Sequence, residues 1–246
     1  MLFVLGVLAA VALVFFIVRW QGQHHPRPMP YWLEGLFLDN PLRRWMFGSR
    51  FVLDLAEVAE GERVGEVGSG IGYVSAAIAE RVGAGGSVQA LDQSARAVRA
   101  TDRRLLAYKA AHGVARGDAT ALPWPSGSLD AVVMVAMLGE IPADRRVLAL
   151  SEVQRVLRPG GRLVVVEYWP DPHFLSQEVL ARYLTAASFR VEASRQRFGQ
   201  YGFRARPHGH GCREGGSGPG LGGSGSLTVY DRVRQLDHAD RLTVGC

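Results

Sequence analysis

Cysteine is nearly missing from this chain of 246 residues, and the two that occur, Cys212 and Cys246, both lie near its end. The sequence before them therefore indicates neither a disulfide framework nor a cysteine-based metal site, and it favours a reducing, cytoplasmic setting. Lysine is rarer still, because Lys109 is the only one and arginine supplies almost all of the positive charge. The net charge of +5 is dispersed rather than gathered in one basic stretch, so we expect no nucleic-acid partner.

Charged side chains are absent from residues 1–18, which are rich in Leu, Val, Ala and Phe. As a helix this stretch would reach about 27 Å, near the hydrocarbon thickness of a bilayer. A cleaved signal peptide is the alternative, but no basic residues precede the apolar run and no convincing small-x-small site follows it. We therefore expect residues 1–20 to form a single-pass transmembrane helix that anchors the chain. Arginines follow it, so the positive-inside rule places the catalytic domain in the cytoplasm.

Residues 21–30 contain three prolines and two histidines without a period, which predicts a short linker rather than a metal site. A domain is then expected over residues 31–207, beginning with an amphipathic segment at 31–58 in which Asn40 and Pro41 form a helix start signal. Two interpretations of that segment stay open. It lies on the lipid headgroups, or it packs over the core of the domain.

Strand and helix signals alternate regularly from residue 63 onward. Such alternation predicts an α/β fold with a doubly wound, mostly parallel sheet and ligands at the carboxyl ends of its strands. The predicted strands are 63–67, 87–91, 114–116, 129–135, 162–167 and 189–194. The predicted helices are 73–82, a helix capped by Ser94 that continues to about residue 111, 144–157 and 175–187, with a stop between the third helix and the fifth strand at 158–161.

The stretch 64–72 is an apolar run that carries one acid, Glu66, and then breaks into the alternating glycines Gly68, Gly70 and Gly72. A buried strand that ends in glycines and opens a helix brings bare backbone N–H groups to a ligand without Cβ atoms in the way. A dinucleotide fingerprint would need a third glycine at position 73, where Tyr73 stands. The spacing therefore argues against an NAD(P)-dependent oxidoreductase, although that alternative stays open.

The pattern Glu-x-Gly-x-Gly-x-Gly resembles motif I of the class I S-adenosylmethionine-dependent methyltransferases. The resemblance continues in Asp92, which closes the second strand, in GDATALPWPSGSLDAVVMV at 117–135, and in VQRVLRPGGRLVVVE at 153–167. It covers roughly residues 34–206. It implies a Rossmann-like sheet with an antiparallel last strand near 199–206, and S-adenosylmethionine as the cofactor.

The resemblance also implies roles for the residues of the glycine loop. Gly68, Ser69, Gly70 and Gly72 would close over the methionine part of the cofactor. Glu66 would anchor the loop or, through water, the amino group.

Further along the chain, Asp92 would accept the two ribose hydroxyls and Gln93 would flank the adenine. Asp118 would take the exocyclic amine and the Ala119 N–H would meet a ring nitrogen. Taken separately, each of the two aspartates also fits an ordinary strand-end acid that caps the next turn.

Methyl transfer from a sulfonium depends mainly on orientation and desolvation, with a base needed only where the acceptor loses a proton. Glu140, after the fourth strand, and His173, after the fifth, are the candidate catalytic residues. The alternative for each is a loop hydrogen bond without a catalytic role. The chain lacks the Asn/Asp-Pro-Pro-Tyr run of enzymes that methylate nucleobase amino groups.

The predicted anchor favours an acceptor in the membrane, because tethering raises the concentration of the enzyme near membrane-resident molecules. Within the family, the motifs look most like those of ubiquinone/menaquinone and phospholipid methyltransferases. We therefore expect a small or membrane-resident acceptor, either a lipid headgroup or a quinone-like ring. A membrane-anchored protein that binds S-adenosylmethionine without transferring its methyl group is the other alternative. The glycine-rich residues 208–246 favour a disordered tail.

Overall fold

The computed structural model describes Gly6, residues 48–169 and residues 171–208. The predicted anchor at 1–20 (apart from Gly6), the linker at 21–30, the first part of the amphipathic segment at 31–47, and nearly all of the tail at 208–246 lie outside the described residues. Within the described ranges, no helix combines the length and the apolar character that crossing a bilayer requires.

The centre of the fold is a seven-stranded sheet with the order β3-β2-β1-β4-β5-β7-β6. β1 to β5 are parallel, and β7 runs antiparallel between β5 and β6. The predicted mostly parallel sheet with an antiparallel last strand is thus confirmed. The strands are β1 (Arg63–Val67), β2 (Ser87–Asp92), β3 (Ala111–Arg116), β4 (Leu129–Val135), β5 (Leu157–Tyr168), β6 (Phe189–Arg197) and β7 (Gln200–Pro207).

Helices cover both faces of this sheet, as buried residues on both faces of the strands require. One face packs against α1 (Ser49–Ala56), α2 (Tyr73–Val82) and α3 (Ala95–Leu105). The other packs against α4 (Ala143–Val156) and α5 (Gln177–Ala186). A short 3-10 helix, Leu138–Glu140, joins β4 to α4.

Several predicted boundaries were wrong for identifiable reasons. α3 stops at Leu105, well before residue 111, because β3 begins at Ala111 by pairing with Ser87. The predicted stop at 158–161 is instead part of β5. Leu129 pairs with Leu157 and Ala131 with Arg162, so four residues of β5 bulge opposite one residue of β4.

The described part of the amphipathic segment packs over the core. α1 buries Val52, Leu53, Leu55 and Ala56. Arg162, in β5, fixes its carboxyl end by donating from Nε to the Ala56 carbonyl and from Nη2 to the Glu57 carbonyl at 2.9 Å. These contacts satisfy carbonyl groups that a helix end leaves without partners.

Candidate functional site

A cavity of about 400 Å³ opens where β1, β2 and β3 end, at the carboxyl edge of the sheet. Its volume falls within the range of small-molecule sites. The residues that line it come from the strand ends, the glycine loop and the start of α4. They are Val67, Gly68, Leu91, Asp92, Gln93, Ser94, Gly117, Asp118, Ala119, Met137, Glu140, Ile141, Pro142 and Arg145.

Six of the predicted site residues are therefore on this wall. They are Gly68, Asp92, Gln93, Asp118, Ala119 and Glu140. Glu66, Ser69, Gly70, Gly72 and His173 are not among the lining residues.

The glycine loop needs its glycines for different reasons. Gly68 has a φ of +80°, and a Cβ there would lie 2.8 Å from Met137, which forms the opposite wall of the cavity. Gly72 has a φ of +76°, and a Cβ there would lie 2.8 Å from the backbone of Thr101 in α3. The first glycine thus shapes the cavity, and the second allows α2 to pack against α3.

Asp92 lines the cavity and also fixes the glycine loop by hydrogen bonds. Its Oδ2 accepts a 2.8 Å hydrogen bond from the Gly70 N–H, and its Oδ1 accepts one of 2.8 Å from the Ser94 N–H. Burial raises the pKa of this carboxyl, although the backbone hydrogen bonds from Ser94 and Gly70 oppose that change. Each carboxylate oxygen keeps a lone pair beyond these bonds, so Asp92 can still accept hydroxyl groups of a ligand.

Glu66 lies beneath the loop instead of on the cavity wall. It is only 2% exposed, and its Oε2 accepts a hydrogen bond from the Ser75 hydroxyl in α2. Burial raises the pKa of Glu66 to about 8, helped by the negative charge of Asp92. This geometry places Glu66 as a link between β1 and α2.

Asp118 caps the turn that follows β3. Its Oδ1 accepts from the N–H and the hydroxyl of Thr120 at 2.9 and 2.8 Å, and its Oδ2 lies 3.1 Å from Nη2 of Arg145. The hydrogen bond from the Thr120 N–H is the main reason why the pKa of Asp118 is lowered. Asp118 therefore caps a turn, as the alternative interpretation predicted, and it also lines the cavity.

The candidate catalytic residues lie in different surroundings. Glu140, in the 3-10 helix, lines the cavity. His173 is buried behind it, with its carbonyl oxygen packed against Gly139 and its Nδ1 3.6 Å from Oδ1 of Asp171. Since His173 does not reach the cavity, a direct catalytic role for it is not supported.

Sequence reasoning missed Arg145 and Glu167. Arg145 reaches Asp118 from α4, 27 positions later in the chain, so only the fold brings the pair together. Glu167 is the penultimate residue of β5 and is 1% exposed, and its Oε1 has no hydrogen-bond partner among the described residues. Burial and the nearby Asp171 raise its pKa well above the ordinary value. An acid inside the apolar run 163–168 was the available signal.

Residues 64–161, which contain the glycine loop, Asp92, Asp118 and Glu140, match the model of the family described as "Methyltransferase domain". Over these residues the chain is therefore similar to methyltransferase domains. S-adenosylmethionine is accordingly its cofactor, and the site fits it. A Cβ at Gly68 would fill part of the cavity, and Asp92 offers acceptor lone pairs there.

Curated proteins that are similar to this chain share about a third of its residues over the matched region. A protein of Methylococcus capsulatus named "Ubiquinone/menaquinone biosynthesis C-methyltransferase UbiE" is 34% identical over 58% of this chain and 56% of its own. A "Demethylmenaquinone methyltransferase" of Renibacterium salmoninarum is 37% identical over 51% of this chain and 48% of its own. The chain thus spans about half the length of the curated relatives it matches.

Solved structures show the same fold at lower identity. A SAM-dependent methyltransferase from Aquifex aeolicus superposes with a TM-score of 0.63 at 24% identity, covering 68% of this chain and 94% of that one. The structure of the [4+2]-cyclase SpnF superposes with a TM-score of 0.56 at 20% identity, covering 65% of this chain and 80% of that one.

Proposed function

We propose that this chain transfers the methyl group of S-adenosylmethionine to a ring carbon of a quinone-like acceptor that resides in the membrane. The observation that carries the proposal is that Asp92 and Asp118, on the cofactor side, share one cavity with the acid Glu140. The names of the curated relatives, a ubiquinone/menaquinone biosynthesis C-methyltransferase and a demethylmenaquinone methyltransferase, support a quinone-like ring over a lipid headgroup.

Different residues of the cavity would bind different parts of the cofactor. Asp92 would accept the ribose hydroxyls, Asp118 the adenine amine, and the loop at Gly68 would admit the methionine part. When bound, S-adenosylmethionine supplies an electrophilic methyl group on a cationic sulfur. The walls from Met137 and Ile141 exclude water around that group, which favours an in-line displacement.

C-methylation also needs a base. In the reduced, quinol-like form of the acceptor, a ring carbon would bond to the methyl group as the sulfur–methyl bond breaks and the thioether product leaves. The same ring carbon would then lose its proton, which restores the aromatic ring. Glu140 is the acid on the cavity wall that can accept this proton. Its position at the end of the 3-10 helix, between β4 and α4, places it at the carboxyl edge where the acceptor would enter.

The setting that we propose is the cytoplasmic face of a membrane. The uncharged residues 1–18, followed by arginines, support a single-pass anchor with the domain in the cytoplasm. Such an arrangement would deliver the cofactor from the cytoplasm and the acceptor from the bilayer.

The test is to incubate the purified full chain with membrane lipid extract and methyl-labelled S-adenosylmethionine. We expect the label in the quinone fraction, on a ring carbon as shown by carbon NMR. Glu140→Gln should lower kcat at least tenfold and leave cofactor affinity unchanged. Label found only in water-soluble molecules, or only on oxygen or nitrogen, would reject the proposed acceptor.

A second candidate function is binding of S-adenosylmethionine without methyl transfer. The similarity in fold to a [4+2]-cyclase favours this candidate, because it shows that the same fold can serve a protein that is not named as a methyltransferase. Calorimetric binding of the cofactor, together with no label in any fraction of the extract, would support this candidate. Binding of NAD(P) in place of S-adenosylmethionine would instead favour an oxidoreductase.

A further inference from the structure

Glu140 lies in a short connecting segment that begins with a strained residue. The segment runs from the end of β4 to the start of α4 and contains the 3-10 helix Leu138–Glu140. Ala136, the first residue after β4, has a φ of +49°, a conformation that is unfavourable for a residue with a side chain. A single turn of 3-10 helix has few hydrogen bonds of its own, so its position depends on contacts with other elements.

One arginine of α4 binds the main chain on both sides of Glu140. Nε of Arg146 donates to the Ile141 carbonyl at 2.9 Å, and Nη2 donates to the Gly139 carbonyl at 3.1 Å. The remaining nitrogen, Nη1, donates to the hydroxyl of Tyr183 in α5 at 3.1 Å. Because the guanidinium group is planar and rigid, these three hydrogen bonds fix the two carbonyls relative to each other and to α5.

The loop after β5 also contacts the residue before Glu140. A Cβ at Gly139 would overlap the carbonyl oxygen of His173, so only glycine fits at this contact. His173 is itself fixed, because its N–H donates to Oδ1 of Asp171 at 2.7 Å. Gly139 is thus held both by the arginine of α4 and by the loop after β5.

The positive charge of Arg146 acts in the same region. Its three hydrogen-bond acceptors are neutral, so they do not neutralise it. Burial raises the pKa of the Glu167 carboxyl, near the end of β5. The negative charges of Asp171 and Glu140 add to this change, and the positive charge of Arg146 opposes it. The charges of Arg146 and Glu140 therefore lie close enough to act on the same buried group.

We propose that Arg146 is a positioning residue for methyl transfer, which holds Glu140 in reach of the acceptor by fixing the carbonyls of Gly139 and Ile141. A base must lie within hydrogen-bond reach of the proton that it accepts, and a displacement of about 1 Å can lower a rate about a hundredfold. Arg146 is not among the residues that line the cavity, so it acts through Glu140. The inference rests on the proposed function, in which Glu140 is the base.

The first test is a double-mutant cycle in the full chain. Arg146→Lys keeps the positive charge, but an ammonium group cannot bind both carbonyls in the plane of a guanidinium. We expect kcat to fall at least tenfold, with a change of less than about threefold in the KM for S-adenosylmethionine. In Glu140→Gln, the same substitution should lower kcat by less than about twofold, because no base is left to position. Full additivity of the two losses would overturn the proposal.

Arg155→Lys is the matched control. Arg155, at the other end of α4, also donates to two main-chain carbonyls, those of Leu122 and Trp124, both at 2.9 Å. Neither of these two residues is among those that line the cavity. We expect Arg155→Lys to lower the thermal midpoint, as Arg146→Lys does, but to change kcat by less than about twofold. Equal losses of kcat in the two variants would assign Arg146 a role in stability alone.

Hydrogen exchange measured by NMR tests the positioning without turnover, so its result does not depend on the methyl acceptor. The amides of Glu140 and Ile141 donate within the turn and report its rigidity. We expect both to exchange at least tenfold faster in Arg146→Lys and at an unchanged rate in Arg155→Lys. Unchanged exchange in Arg146→Lys would overturn the proposal. Faster exchange in a chain that labels no acceptor would support the positioning of Glu140 and count against the proposed function alone.

Discussion

Position 68 requires glycine for two reasons, its backbone conformation and the shape of the cavity. Its φ of +80° and the 2.8 Å approach of Met137 leave no room for a side chain. We expect Gly68→Ala to weaken S-adenosylmethionine binding about tenfold or more, because the loop must shift into the cavity. Isothermal titration measures this change.

Gly127→Ala is the matched control, since Gly127 also has a positive φ, +64°, but nothing lies within 4 Å of its Cβ position. Both variants carry backbone strain of about 1–2 kcal/mol, so equal losses of cofactor affinity would contradict the steric argument.

Asp92 and Asp118 look alike in sequence, as acids that follow strands, but their surroundings differ. In Asp92→Asn, the amide nitrogen would face either the Gly70 or the Ser94 N–H, so a buried donor would lose its acceptor. We expect cofactor affinity to fall about tenfold to a hundredfold.

Asp118→Asn should change cofactor affinity by less than about threefold, because an amide oxygen can still accept from Thr120 and the ion pair with Arg145 is exposed. Titration of both variants compares the two aspartates. A larger loss in Asp118→Asn than in Asp92→Asn would reverse the assignment.

Glu66 makes stability depend on pH. Since burial raises its pKa from 4.5 to about 8, the folded state keeps a proton that the unfolded state releases between those values. The free energy of unfolding should therefore fall as pH rises from 4.5 through about 8, by about 1 kcal/mol per pH unit over the steepest part.

Glu66→Gln should flatten this slope, because glutamine keeps a hydrogen bond to Ser75 without titrating. Urea unfolding between pH 6 and pH 9 tests the prediction. Glu167→Gln should flatten it further, since the pKa of Glu167 is raised by burial too. An unchanged slope in both variants would show that neither acid is protonated in the folded protein.

At the scale of elements, one buried ion pair fixes α1 to the sheet. Arg162 is 7% exposed and binds both carboxylate oxygens of Glu62, at 3.0 and 2.6 Å, besides the carbonyls at the end of α1. Burial opposes ionisation of Glu62, but the hydrogen bonds from Arg162 lower its pKa.

Arg162→Met should lower the free energy of unfolding by about 3–5 kcal/mol, because it leaves the partly buried Glu62 carboxylate without its cation and two carbonyl groups without a donor. Arg190→Ala, which breaks the exposed pair with Glu192, should cost less than about 1 kcal/mol. Chemical denaturation compares the two. Similar losses would show that the α1 contact contributes little.

Elements with purely local signals were predicted well. β1 and β4 coincide with their apolar runs, α2 begins after the last glycine of its loop, and Ser94 caps α3 as expected, with its hydroxyl oxygen accepting from the Ala97 N–H. The errors occur where pairing with a neighbouring strand determines the boundary of an element. β3 starts at Ala111 because β2 offers it partners, and β6 continues to Arg197 because β7 pairs with it along its whole length.

In the site, too, the positions that follow from local sequence were predicted, whereas contacts between distant parts of the chain were not. The strand-end positions of Gly68 and Asp92 follow from the local sequence, so their place at the cavity was predictable. The contact between Arg145 and Asp118 requires α4 to pass over the end of β3, and the burial of Glu167 requires the segment before α5, which includes Leu175, to cover the end of β5. Neither can be derived from spacing along the chain.

At the scale of the whole molecule, the arrangement of the sheet decides what the site can do. Five parallel strands bring their carboxyl ends to one edge, and the antiparallel β7 extends the sheet beyond β5. The cofactor site and the candidate base thus share one side of the domain. The opposite edge of the sheet, with the end of α3 and the bulge of β5, contributes to stability and is not part of the site.

The most direct test of the central claim is an isothermal titration of the full chain with S-adenosylmethionine, with NAD(P) and Asp92→Ala in parallel. The account predicts one site per chain for S-adenosylmethionine, an affinity in Asp92→Ala weaker by about a hundredfold, and no binding of NAD(P). Binding of NAD(P) alone, or an affinity for S-adenosylmethionine that Asp92→Ala leaves unchanged, would contradict it.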